Sequence, residues 1–207
     1  GDTTGTTVAG GNGRGSAANQ LSNPWDVAVD ASGNVYVADT DNHRVQKWAP
    51  GATEGTTVAG GNGQGSAANQ LSYPTSIAID VSGNVYALCE LWWEENRIQK
   101  WAPGATEGVT VAGGNGSGSA ANQLWYPYDI AVDAAGNVYV ADSQNRRIQK
   151  WAPGATLGVT VARDLNFPIA ITLDALGNIY VGNGYALIKI INNGAQIIIP
   201  AGQTSAT

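Results

Sequence analysis

Short alternations of apolar and polar residues recur along the chain, each closed by a turn signal. In WDVAVD (25–30), Val27 and Val29 fall on one face, and NVYVAD (34–39) follows after Ala31-Ser32-Gly33. A period of two marks a half-buried strand, and Gly33 supplies the positive φ of a tight hairpin. A third strand is predicted at HRVQKW (43–48). A fourth is predicted at TTVAG (56–60), after the Pro-Gly turn of APGATEG. No segment has a helical period; SAANQL makes at most one turn, capped by Ser16.

The whole pattern returns. TTVAGGNGRGSAANQLS (6–22) recurs at 56–72 with Gln64 in place of Arg14, and a third copy, VTVAGGNGSGSAANQL, begins at Val109. A fourth starts VTVAR at Val159 and has lost most of the Gly-rich loop. Pro24, Pro74, Pro127 and Pro168 keep the phase, as do Asp30, Asp80, Asp133 and Asp174, and Trp48, Trp101 and Trp151. Four antiparallel strands in a repeat of about fifty residues are the signature of a propeller blade. The fold class is therefore all-β: a single domain over 1–207, a β-propeller of four four-stranded blades. The repeat units are 12–60, 61–113, 114–163 and 164–202.

The outer strand type occurs five times if IIIPAG (197–202) is counted with the copies at Thr6, Thr56, Val109 and Val159. Four blades need four. The C-terminal copy follows Ile188-Lys189-Ile190 and can finish blade four, which leaves the strand at 6–10 over. An unpaired strand is a template for another chain, so Thr6, Thr7, Val8 and Ala9 are the expected self-association residues.

PWDVAVDASGNVYVADTDNHRVQKW (24–48) resembles an NHL repeat, with Asn42-His43-Arg44 as the namesake stretch. PYDIAVDAAGNVYVADSQNRRIQKW (127–151) matches equally well with Arg146 for the histidine, and 74–101 departs most. The resemblance implies the propeller fold and leaves function open, because one propeller hosts unrelated jobs.

In propellers, the loops leading into the inner strand and those joining the second and third strands emerge on one face. Unit two carries an insertion there, including Trp92, Trp93 and Glu94. Adjacent tryptophans on a surface loop suit a sugar or a partner's pocket. Trp25, Asp26, Tyr128 and Asp129 stand where inner strands begin, near the expected channel mouth, and are the next binding candidates.

The net charge of -6, with lysines spread one per repeat, argues against nucleic acid as a partner. No apolar run is long enough for a membrane span. The chain has one cysteine and no methionine, so no internal disulfide is expected and a processed product or fragment is. Few ionisable groups and the sequon Asn115-Gly116-Ser117, with Asn115 the expected glycosylation site, fit an extracellular location.

Catalytic chemistry finds little support. The Gly-rich loops lack the lysine and helix of a phosphate cradle and read as flexible surface turns. His43 is the only histidine, and packing or a surface hydrogen bond suits it better than ligation. Asp26 and Asp129 would leave a metal ring broken at Ser76 and Ala170, and the four repeated aspartates read as turn acceptors. Cys89 reads as a buried apolar residue. No enzyme activity, metal or cofactor is expected. The leading expectation is an extracellular structural or adhesive module that self-associates, as a filament or another homo-oligomer. The alternative is a lectin or peptide receptor using the Trp-rich loop and channel mouth.

Overall fold

A computed structural model describes residues 4–89, 96–191 and 196–199 of the chain. They form four four-stranded antiparallel sheets, the blades of a four-bladed β-propeller. Blade one is β1 (Pro24–Val29), β2 (Val35–Asp39), β3 (Arg44–Trp48) and β4 (Thr56–Gly60), in that order across the sheet. Blade two is β5 (Pro74–Ile79), β6 (Val85–Cys89), β7 (Arg97–Trp101) and β8 (Val109–Gly113). Blade three is β9 (Pro127–Val132), β10 (Val138–Asp142), β11 (Arg147–Trp151) and β12 (Val159–Ala162). Blade four is β13 (Pro168–Leu173), β14 (Ile179–Asn183), β15 (Leu187–Ile190) and β16 (Gln196–Ile199). The strands of blade one begin and end within about a residue of where the alternation places them.

A carboxylate fixes the first hairpin of every blade. Asp30 Oδ1 accepts from the backbone N–H groups of Ser32 and Asn34, both at 2.9 Å. Its Oδ2 accepts from the Asn34 amide at 2.7 Å and the Tyr36 hydroxyl at 3.1 Å. The same four bonds recur around Asp80, Asp133 and Asp174. The bonded side-chain amides of Asn34 and Asn178 are the main force holding Asp30 and Asp174 below the ordinary aspartate value. Burial pushes Asp80 and Asp133 upward, but their amide and phenol donors together outweigh it and leave both lowered. In blades one, three and four the tyrosine then offers its ring to a lysine across the sheet. Lys47 lies 5.3 Å from the Tyr36 centroid, Lys150 5.2 Å from Tyr139 and Lys189 5.1 Å from Tyr180.

The third strands of blades one to three end in the largest fully buried side chains, Trp48, Trp101 and Trp151. Glycine makes room for them. A Cβ on Gly158 would lie 2.7 Å from Trp151 Cε2, and one on Gly55 2.7 Å from Trp48 Cε2. In blade four Ile190 pairs with Ile179 where Trp151 pairs with Val138, so a smaller residue fills the place.

By contact the chain divides into two compact units, residues 1–87 with 101–109 and residues 88–100 with 110–207. In the first, β5 packs on β1, and in the second, β13 packs on β9. The core of the second unit gathers Ile148, Leu165, Ile171, Val181 and Ile188 around Ala141.

Blade one differs from the rest at one face. Val27 is 59% exposed, whereas Ile77, Ile130 and Ile171 at the same place in their strands are 5%, 4% and 6% exposed. Trp25 and Val29, two residues to either side, are exposed as well. Of the five outer segments expected, four form strands among the described residues. β16 pairs with β15 from Leu187↔Ile199 to Ile190↔Gln196, completing blade four, while residues 4–10 belong to no strand.

Gly158→Ala is expected to destabilise the protein by about 1–3 kcal/mol, because the added methyl must displace the Trp151 ring. Urea unfolding followed by tryptophan fluorescence measures it, and an unchanged midpoint would contradict this packing.

Candidate functional site

The loops leading into the inner strands are folded tightly, unlike the flexible turns expected from their glycines. Asn12 Nδ2 donates to the carbonyls of Gly10 and Asn19, both at 3.3 Å, and Gln20 Nε2 returns a bond to the Asn12 carbonyl at 3.0 Å. The tips are joined by isolated bridges, Arg14 to Leu21, Gln64 to Leu71 and Ser117 to Leu124.

An ion pair grips each such loop in blades one and three. Arg44 donates Nε–H to Asp39 Oδ2 at 2.7 Å, Nη1 to the Ser16 carbonyl at 2.8 Å, and Nη2 to the carbonyls of Ala17 and Gln20 at 3.1 Å. Asp39 is fully buried; its Oδ1 accepts from Ser22 N–H at 2.7 Å and its Oδ2 also from Asn42 Nδ2. Arg147, Asp142 and Asn145 repeat the arrangement on Ser119, Ala120, Gln123 and Gly118. Burial pushes the Asp142 carboxyl up, while Trp125 N–H, Asn145 and Arg147 oppose that push. Only a planar guanidinium can serve a carboxylate and three carbonyls at once. Sequence reading missed this clamp, although the Asp-x-x-Asn-x-Arg spacing of 39–44 and 142–147 carried it. Cys89, fully buried, takes the carboxylate's place in unit two, which keeps Arg97 and the loop. Blade four has neither clamp nor loop: Asn183 and Ala186 occupy the two positions.

Blade one is clipped to blade two, and blade three to blade four, by residues at the start of their inner strands and their neighbours. Asp26 Oδ1 accepts from its own blade at Val27 N–H, 2.8 Å, and Oδ2 from the next at Ile77 N–H, 2.7 Å. Asp129 does the same for Ile130 and Ile171, both at 2.8 Å. Thr40 donates its hydroxyl to the Pro74 carbonyl at 2.8 Å and Ser143 to the Pro168 carbonyl. His43 accepts Tyr73 N–H on Nδ1 at 3.2 Å and meets the Tyr73 ring edge-on, 4.5 Å between centroids. Burial lowers its pKa against the opposing pull of Asp41.

These placements describe most of the expected site residues. Asp26 and Asp129 hold backbone amides, and Trp25 is exposed on the open face of blade one. Trp92, Trp93 and Glu94 lie outside the described residues. Asn115 is on the loop surface, its Nδ2 donating to Gly113 and Asn122 carbonyls at 3.0 and 3.1 Å. Thr6, Thr7, Val8 and Ala9 line a groove of about 870 Å³ with Val35, Trp48 and residues 49–54. Tyr128 stands edge-on to Phe167, 5.5 Å between centroids, in a cleft of about 550 Å³ completed by Asn166, Ile169, Gly184 and Tyr185. Those other five residues were not legible as a site, because they lie in the unit whose repeat pattern is most eroded. Phe167 has φ 50°, but Asn23, Tyr73 and Tyr126, each also preceding a blade's first proline, are left-handed too. That conformation belongs to the repeat and not to the cleft.

The NHL repeat family matches residues 21–48 and 124–151, which are the strands and clamps of blades one and three. The chain carries two NHL repeats. This propeller is similar in fold to a chain of a nidogen/laminin complex, with TM-score 0.69 and 19% identity over 87% of this chain and 65% of that one. It is also similar to a gluconolactonase from Xanthomonas campestris, with TM-score 0.66 and 14% identity over 90% and 64%. A third likeness is to streptogramin B lyase, with TM-score 0.59 and 15% identity over 86% and 54%. The NHL-repeat propeller thus spans between about half and two thirds of the length of these chains, and the likeness is one of fold. No match is found among curated proteins.

Arg147→Met leaves the buried Asp142 carboxylate without its counter-ion and is expected to cost about 3–5 kcal/mol. Amide exchange at Gly118, whose N–H bonds Leu124 at 3.1 Å, should accelerate with it. A variant with wild-type stability and exchange would refute the clamp. A second expectation concerns pH. The folded state favours neutral His43, so its contribution is present above the unfolded histidine pKa and is lost as pH falls toward the lower folded value. Since His43 is the only histidine, His43→Asn should flatten the stability profile between about pH 7.5 and 5.5. Parallel profiles for the two proteins would refute the assignment.

Proposed function

We propose that this NHL-repeat propeller is a non-enzymatic, extracellular structural or adhesive module that binds copies of itself through its spare outer strand. The observation that carries the reading is that the segment at 6–10 belongs to no strand while β16 completes blade four. Its relatives in sequence, β4, β8 and β12, each pair with the third strand of a blade. The groove beside residues 6–12 leaves space for such a strand, with Val8 in its lining, and Trp25, Val27 and Val29 present further exposed apolar surface on β1. A strand added there gains roughly five backbone hydrogen bonds at about 1 kcal/mol net each, besides the buried apolar area. The contact joins two different surfaces, so it repeats from copy to copy and builds a filament unless it closes into a ring. The low charge content and the sequon at Asn115 support an extracellular setting. The similar chain in a nidogen/laminin complex is in keeping with a protein partner.

Two variants test this by light scattering and sedimentation. Removing residues 1–11 should reduce the assembly to the 21 kDa scale of one chain. Val27→Glu should do the same without loss of stability, because Val27 is largely exposed within one chain. If wild type and both variants have the same assembly state, the proposal fails.

A further inference from the structure

The cleft between blades three and four has a chemistry of its own, apart from the self-association surface. Its walls are the rings of Tyr128, Phe167 and Tyr185 and the side chain of Ile169, with the Asn166 amide at the rim. No charged side chain lines it among the described residues. Tyr185, on the two-residue hairpin that joins β14 to β15, is 81% exposed and held there by its N–H bond to Asn183 Oδ1 at 3.1 Å. An aromatic ring fixed by its backbone and left bare to water is a poor use of apolar surface unless something covers it. The Asn166 amide and the hydroxyls of Tyr128 and Tyr185 make no hydrogen bond among the described residues.

The origin of the cleft is a paired loss. In blades one and three the segment leading into the inner strand is a Gly-rich loop that the arginine clamp holds. Without the loop, a buried guanidinium would face three missing acceptors. Without the arginine, the loop would have no anchor. Blade four has discarded both, and the shortened segment at 163–167 and hairpin at 183–186 leave the aromatic floor open.

We infer that this cleft binds a neutral saccharide, with one pyranose ring laid against the aromatic walls. The apolar C–H face of a sugar covers aromatic rings, and amide and phenol groups, which both donate and accept, match hydroxyls that do the same. The volume, about 550 Å³, lies in the range of small-ligand sites. An acidic sugar finds no cation in the lining and meets a chain of net charge -6. A proline-rich peptide needs a row of successive aromatic pockets along its length, and the lining comprises a single cleft.

The test uses the full chain on an array of neutral glycans, acidic glycans and proline-rich peptides, followed by saturation-transfer NMR with glucose, galactose, mannose and N-acetylglucosamine. Neutral sugars should bind. Tyr185→Ala should weaken them by about tenfold or more at unchanged melting temperature, Phe167→Ala should do likewise, and Tyr185→Phe should keep most of the affinity. Assembly state should be unaffected by Tyr185→Ala, so the outcome is separate from that of the self-association test. The proposal is overturned if no neutral sugar binds up to about 10 mM. It is equally overturned if binding survives both alanine variants, or if only acidic glycans or proline-rich peptides bind.

Discussion

The bond set around the aspartate that follows each inner strand is the constraint on which the blades depend. It closes the β1–β2 hairpin by holding two backbone N–H groups, a side-chain amide and a phenol on one carboxylate. Strand pairing alone would tolerate a slip, and a slip of one residue would turn every side chain to the wrong face. By tying Tyr36 two residues into the second strand, Asp30 forbids that slip. With the register fixed, Tyr36 stands opposite Lys47, Val35 opposite Trp48, and the tryptophan meets the glycine made for it. The same carboxylate therefore sets local turn, sheet register and core packing. Its fourfold recurrence keeps blade four in register after that blade has lost its tryptophan.

What varies between blades is the face where inner strands begin, and it varies in linked groups. The Asp–Arg clamp and the Gly-rich loop are one device, because a guanidinium buried against loop carbonyls is stable only while the loop is there. Blades one and three keep it whole and match the NHL repeat family. Blade four has dropped it whole and opens an aromatic cleft instead. The scaffold supports this exchange because the loops are not what holds the sheets together.

The fold was legible because its signals are local and repeated. Period-two alternation, turn glycines and the phase of Pro24, Asp30 and Trp48 all depend on residues within one repeat. The site was legible only in part. Tyr128 was found because it stands where an inner strand begins, near the expected channel mouth, but Phe167 and Tyr185 become neighbours only when two blades pack. Asp26 and Asp129 looked like acids awaiting a ligand. Their oxygens instead hold amides 51 and 42 residues further on, separations that no motif reports. The clamp was hidden for a similar reason: four of its acceptors are backbone carbonyls, which the sequence does not mark.

The clips also give the array a direction. Asp26 with Thr40, and Asp129 with Ser143, each pair a carboxylate and a hydroxyl that reach forward to the amide and proline carbonyl of the blade that follows. Blade four offers Ala170 and Gly184 at those two places, so it cannot grip a following blade in the same way. Blade one presents the receiving side of the same contact, the start of β1 with Val27 uncovered. A blade four from another copy therefore lacks the carboxylate and hydroxyl that reach forward from blades one and three. A copy that docks on blade one must be held by something else, and the segment at 6–10, which belongs to no strand, has backbone groups to offer. Strand pairing supplies bonds that need no particular side chain. For that reason the reading of self-association rests on the strand, with the apolar face of β1 adding area to it.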